Sequence, residues 1–244
     1  MASPTVIRTV GLRKRFDSGT VGVEALRGVD LQVTQGEFLA VMGPSGSGKT
    51  TLLSILGCLE PPTAGEYWLG DEDVARFDER KAARARRERI GIVFQNFNLL
   101  PRSTAAQNVE LPLVYARVPP RERHERARDA LAAVGLLDRA HHLPNQLSGG
   151  QQQRVAVARA IIMNPQVLLA DEPTGNLDSH SADEVLAVLN EIHSGGATLV
   201  MVTHAREVAE HGTRIVHMRD GQIEAEEQLR IPAQGRADHA KAGT

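Results

Sequence analysis

The chain has 244 residues, a formal net charge of −2, one cysteine and few rings (Phe 5, Tyr 2, Trp 1; 3% of the sequence). The lone cysteine excludes an intramolecular disulfide and any multi-cysteine zinc or iron–sulfur site. The scarcity of rings argues against a base-stacking surface for single strands, and the balanced charge lacks the footprint of a DNA binder. At 41% hydrophobic and 24% charged residues, the chain can bury a substantial core, built from Leu, Val, Ile and Ala. No apolar h-region precedes Arg13-Lys14-Arg15, so no signal peptide is expected. No apolar run approaches the ~18 residues of a membrane span. The reading is of a protein of a reducing compartment, with any membrane role reached through a partner.

In chain order, Val6–Leu12 and Glu24–Val33 read as strands, Glu37–Met42 as a compact buried strand ending at Gly43, and Gly65–Gly70 as a strand closed by a Gly-Asp turn. Arg80–Arg89 reads as a solvated helix face before a buried strand, Ile90–Phe94. From Leu99 to about Gln146 the apolar residues fall at helical spacing, with Pro101, Pro112 and Pro119-Pro120 as punctuation. Pro119-Pro120 suits a helix start and Gly135 its end, with Arg121/Glu125 and Glu122/Arg126 paired at i,i+4. The last third alternates: strand Val167–Ala170, helix Ser181–Ile192, strand Thr198–Val202, then a hairpin of Arg214–Met218 and Gln222–Glu226 around Asp220-Gly221. Such alternation predicts a mostly parallel sheet. Residues from about Ile231 are small and polar and read as a mobile tail.

Gly43-Pro44-Ser45-Gly46-Ser47-Gly48-Lys49-Thr50 fits G-x-x-x-x-G-K-[ST], after a strand and before the helical run Thr51–Leu56. Its glycines let backbone N–H groups turn inward as an anion nest at a helix N-terminus. Lys49 adds a point charge for β- and γ-phosphates, and the Thr50 hydroxyl can ligate Mg²⁺. The strand Val167–Ala170 ends in Asp171-Glu172. Paired with the phosphate loop, Asp171 is the expected Mg²⁺ ligand and Glu172 the group that polarises the attacking water.

Leu147-Ser148-Gly149-Gly150-Gln151 supplies a second glycine-rich helix N-terminus, opened by a Ser148/Gln151 capping box before the helix Gln151–Met163. Here the sequence resembles the ATP-binding cassette (ABC) ATPases, over about residues 5–228. Further motifs occur in the family's order. Gln95 in Val93-Phe94-Gln95-Asn96 is similar to the glutamine loop that contacts Mg²⁺ and the attacking water. Asp178 in Gly175-Asn176-Leu177-Asp178 resembles the D-loop aspartate that communicates across a dimer. His204 resembles the switch histidine that contacts the γ-phosphate, although Ala205 follows where the family often has an acidic residue. Phe16 stands where the family places an adenine-stacking ring, commonly Tyr. A GTPase would need an N-K-x-D segment, which is absent. The coiled-coil ABC ATPases of DNA repair are disfavoured by only about 120 residues between Lys49 and Asp171, and the paired translation-factor type by a single cassette.

The resemblance implies an α/β P-loop NTPase (RecA-like) core with a mostly parallel sheet, an N-terminal antiparallel β subdomain and an inserted α-helical subdomain. The implied layout is one ATPase domain over 5–230 (core and β subdomain in 5–95 and 150–230, helical subdomain in 96–149), with the tail at 231–244. ATP would contact Phe16, the loop from Gly43 to Thr50, Thr51, Ser148, Gly149, Gly150, Gln151 and Asp178. Thr50, Gln95 and Asp171 would hold Mg²⁺. The catalytic set would be Glu172, His204, Gln95 and Lys49. The family pairs two such subunits as a homodimer, with ATP between the phosphate loop of one and Ser148–Gln151 of the other. It docks transmembrane permease subunits at the helical lobe and glutamine loop, which implies a peripheral place on the inner face of the cell membrane and no nucleic-acid partner. Ile55–Tyr67, Phe94–Pro101, Asn108–Leu113 and Glu172–Ser179 are similar to the subgroup of lipoprotein-release and macrolide-export cassettes. That subgroup also contains a cell-division cassette that regulates a membrane partner and transports nothing.

Overall fold

The computed structural model describes residues 3–18 and 21–229, so the expected tail at 231–244 lies outside the described residues. Two sheets organise it. In the first, β1 (Thr5–Ser18) and β2 (Val21–Thr34) form a long antiparallel pair, joined by β4 (Ala64–Leu69) and the short β5 (Glu72–Asp73) in the order β2-β1-β4-β5. Both long strands outrun their sequence-based limits, and for β1 the reason lies at Gly11. The register slips between Thr9 and Leu12 against β2, and between Val10 and Arg13 against β4, with Gly11 at φ 56° inside both irregularities. A bulge of this kind resets the alternation, so the pattern reads as ending at Leu12 while the strand continues.

The second sheet runs β10-β9-β3-β8-β7-β6, built from β3 (Phe38–Met42), β6 (Ile90–Val93), β7 (Val167–Asp171), β8 (Leu199–Thr203), β9 (Arg214–Arg219) and β10 (Gln222–Gln228). Five strands are parallel, and β10 alone turns back on β9. β3, β7 and β8 are almost wholly buried, which is why each appears in the sequence as a continuous apolar run. Parallel pairing of β3 with β8 and of β8 with β7 brings the C-terminal ends of all three to one rim, where ligands bind in sheets of this type.

The helices are α1 (Lys49–Leu56), α2 (Glu79–Glu88), α3 (Ala105–Tyr115), α4 (Pro120–Ala133), α5 (Gly149–Ile161), α6 (Ser179–Ser194) and the single-turn α7 (Arg206–Ala209). α4 starts at the Pro pair and is followed by Gly135 at φ 68°. Pro112, expected to punctuate, instead sits inside α3. The helix tolerates it because other bonds hold it. Thr104 and Gln107 form a full capping box, and the buried Asn108 amide bonds the backbone of Leu100, Ser103 and Thr104. Ala105, Val109 and Leu113 then pack with Leu131 of α4 and Val155 of α5 in one apolar cluster. Among the described residues, no helix is long and apolar enough to cross a membrane.

The lone cysteine, Cys58, lies just beyond the end of α1 with φ 52°. It is buried, and burial pushes its thiol up to about 11, against the pull of Arg86 and Arg89. Because the thiolate is the reactive form, iodoacetamide at pH 8 should label folded protein about a hundredfold more slowly than the same chain in urea. Mass spectrometry of timed aliquots checks this; equal rates in both states would show the thiol to be exposed.

Candidate functional site

β3 delivers the phosphate loop to the rim of the second sheet. Gly48 caps α1 in a left-handed conformation, φ 100°, and a Cβ there would come within 2.6 Å of the Ala25 carbonyl oxygen. Only glycine suits that combination. The loop is also gripped from outside: Gly221 N donates to Ser47 O (3.0 Å), and Arg27 N donates to Gly221 O (2.8 Å). Lys49 is buried and folds back, its Nζ donating to Gly43 O (2.8 Å) and Pro44 O (2.9 Å). Burial holds its ammonium below the usual lysine range, while Glu172 and Asp171 pull the other way.

Asp171 ends β7 with its Oδ1 buried and without a hydrogen-bond partner. Burial, then the neighbouring Glu172 carboxylate, raises the pKa of Asp171, with Lys49 and Thr50 beside it opposing the shift. Glu172 has φ 42°, a conformation that costs a non-glycine residue about 1–3 kcal/mol. Its N–H donates to Val202 O (2.9 Å) across the strand ends, and its Oε1 lies 3.1 Å from Nδ1 of His204, just past β8. Gln95 follows β6 and donates weakly to Asn176 Oδ1 (3.5 Å). A Cβ on Gly175 would lie 2.9 Å from Gln95 Nε2 and 3.2 Å from Glu172 Oε2, so both side chains close on that glycine. The structure therefore brings Lys49, Thr50, Asp171, Glu172, His204 and Gln95 to one rim.

A cavity of about 410 Å³ adjoins the loop, lined among others by Val23, Ser45, Lys49, Thr50, Thr51 and Glu172. Gly46 and Gly48 line it too; Phe16 does not. Phe16 is 38% exposed and stands opposite Val23 in the β1–β2 register, with Lys14 Nζ 5.0 Å from its ring centre. Cross-strand partners share a face of the sheet, so the Phe16 ring lies on the side that Val23 presents to the cavity.

Ser148, Gly149, Gly150 and Gln151 are not brought to this cavity. They open α5, with both capping-box bonds made: Gln151 N to Ser148 Oγ (3.2 Å) and Ser148 N to Gln151 Oε1 (3.0 Å). Gly150 is held against α6, where a Cβ would meet Ser181 Cβ at 2.8 Å. Asp178 caps α6, accepting from Ser181 N (3.0 Å) and Oγ (2.8 Å), bonds that hold its carboxyl below the usual range.

Three contributors are not among the predicted site residues. Gln153 is wholly buried and bonds the backbone at Phe94 and Pro173. Asn176 Nδ2 bonds Gln95 O (3.3 Å) and Asn96 Oδ1 (2.9 Å), and the Asp220-Gly221 turn lines the cavity. Gln153 carries a local hint, since it follows Gly150 by three positions on the buried face of α5, and Asn176 lies within the Gly175–Asp178 motif.

The ABC transporter family model matches residues 26–175. An uncharacterised ABC transporter ATP-binding protein of Thermotoga maritima is 54% identical over 91% of this chain and 95% of its own length. The macrolide export ATP-binding/permease protein MacB of Azoarcus sp. is 50% identical over 92% of this chain, which spans only 34% of that relative. Among solved structures, the ATP-binding cassette MJ0796, seen as a dimer after hydrolysis with ADP and Pi, superposes with a TM-score of 0.85 at 44% identity, covering 92% of this chain and 99% of its own. With a family model over most of its length and relatives matched almost end to end, the chain belongs to the ABC transporter family as an ATP-binding, ATP-hydrolysing subunit.

Proposed function

We propose that ATP is bound between two copies of this chain, the phosphate loop of one facing Ser148–Gln151 of the other, and that closure on ATP drives a membrane partner in export or extraction. One observation carries this reading. The chain holds two glycine-rich helix N-termini, at α1 and α5, and the cavity at the first is lined by nothing from the second. A two-fold dimer uses both anion sites of each chain. The dimeric MJ0796 cassette supports the arrangement. Asp178, at the head of α6, then carries contact across the two-fold axis, and Phe16 with Val23 receives the adenine ring.

In hydrolysis a water oxygen attacks the γ-phosphorus in line, and the bond to the β,γ-bridging oxygen breaks. Glu172 positions the water and accepts its proton, His204 orients the carboxylate, and Gln95 reads the γ-phosphate. Lys49 leaves its backbone carbonyls for the phosphate oxygens. Asp171, Thr50 and Gln95 suit Mg²⁺, because the unpartnered Asp171 oxygen is a hard ligand in a set that includes a hydroxyl and an amide oxygen. The ion would neutralise charge on the β- and γ-oxygens when bound.

For the membrane partner we assign the groove of about 550 Å³ between α2, β6, α3 and α5, where Leu111, Pro112, Tyr115 and Met163 meet Arg86 and Arg159. An apolar floor edged by cations fits an amphipathic segment with acidic residues. The groove joins the helical lobe of 96–149, through α3, to the core, and relatives named for macrolide and pyoverdine export favour export at the inner face of the cell membrane.

Replacing Ser148 by Asp tests the two-chain site. Aspartate still caps α5, yet it sets a carboxylate against the partner's γ-phosphate. In a Glu172→Gln background at saturating Mg-ATP, gel filtration should show a dimer, and adding Ser148→Asp should return a monomer that still binds fluorescent ATP. A persisting dimer would place ATP elsewhere.

A further inference from the structure

Gln153 is 0% exposed, one turn into α5 on the face it shares with Gly150 and Val157. Its Nε2 donates twice, to Phe94 O (3.2 Å) and to Pro173 O (2.8 Å). Turning the amide over would aim its oxygen at two carbonyl oxygens, so the acceptors fix its orientation. The amide oxygen itself is buried without a partner. A group whose only task was to fill space would not leave an acceptor unsatisfied, since leucine or methionine would pack there without that penalty.

The two carbonyls belong to informative neighbours. Phe94 immediately precedes Gln95, and Pro173 immediately follows Glu172. One side chain therefore ties the backbone beside the γ-phosphate reader to the backbone beside the water-positioning carboxylate. It does so from the helix whose first turn is Ser148–Gln151. Asn176 adds an outer link between the same two segments, bonding Gln95 O and Asn96 Oδ1, but it is solvent-facing.

We propose that Gln153 is a positioning residue for hydrolysis. It clamps the segments bearing Gln95 and Glu172 to α5, so displacement of α5 at the dimer interface moves both groups together relative to the bound phosphate. The inference rests on the roles assigned above to Gln95 and Glu172. Through this clamp, occupancy of the site that Ser148 helps to close on the partner is transmitted to the chain's own catalytic pair.

The test compares full-length Gln153→Met, which keeps the volume and loses the donor, with Gln153→Glu, which keeps the shape and replaces the donor by oxygen. Both should lower kcat for ATP hydrolysis by about 10- to 100-fold, the scale of misplacing a catalytic group by about an ångström. KM for ATP should stay within about threefold, because groups aligned only in the transition state are affected. Either variant hydrolysing at the wild-type rate overturns the proposal. So does a parallel loss of kcat, ATP affinity and melting temperature in both, which marks Gln153 as a packing residue. Glu172→Gln is assayed alongside. If it hydrolyses ATP normally, the assignment of Glu172 fails; if it is inactive while Gln153→Met is fully active, the clamp alone fails.

Discussion

Glu172→Gln is expected to slow ATP hydrolysis by about 10²–10⁴-fold, the usual worth of a positioned general base, while ATP binding and dimer closure persist. The substitution is isosteric, and the amide keeps an oxygen that can face Nδ1 of His204, 3.1 Å from the present carboxylate. The strained backbone at φ 42° is held by the Glu172 N–H bond to Val202 O and by the Gly175 N–H bond to Glu172 O, neither of which the change touches. What is lost is the capacity to take a proton. Bound ATP is then converted to ADP far more slowly, and a dimer stabilised by contacts to γ-phosphate should accumulate. Phosphate release and gel filtration with saturating Mg-ATP read the two halves of the expectation. A chain that keeps a tenth or more of its activity, or stays monomeric, would contradict the mechanism.

Lys49→Met should separate binding from stability. Removing one member of a buried charge pair costs about 2–5 kcal/mol, so ATP affinity should fall by about 30-fold or more. The nucleotide-free protein should melt at the same temperature or slightly higher. Burial already holds the Lys49 ammonium below its usual range, a sign that the charge is a burden to the nucleotide-free site, and the Glu172 and Asp171 carboxylates offset this only in part. Methionine keeps the length and drops the burden. Titration with fluorescent ATP and a thermal melt without nucleotide measure the two effects; a large fall in melting temperature with affinity intact would reverse the assignment.

What the sequence made legible was local chemistry. The phosphate loop, the strand ending in Asp171-Glu172 and the capped start of α5 are contiguous motifs, and their elements lie where the pattern put them. What it concealed was non-local or phase-shifted. The bulge at Gly11 broke the alternation by which β1 is recognised, and Pro112 was carried inside α3 by bonds from Asn108 that no propensity encodes. Gln153 reaches acceptors 59 positions before it and 20 after it, so its place on the buried face of α5 was legible but its partners were not. Ser148–Gln151 was legible as a motif, but its absence from the cavity of its own chain is visible only in three dimensions.

The Asp220-Gly221 turn has a consequence for the order in which the molecule is made. Gly221 bonds both Ser47 of the phosphate loop and Arg27 of the first sheet, and β9, which leads into it, pairs directly with β3. The loop written between residues 43 and 50 thus waits for a stretch that leaves the ribosome about 170 residues later. A nascent chain long enough to contain every phosphate-binding residue still lacks the neighbour that fixes their backbone. Competence for nucleotide therefore waits for the Asp220-Gly221 turn to be made and docked.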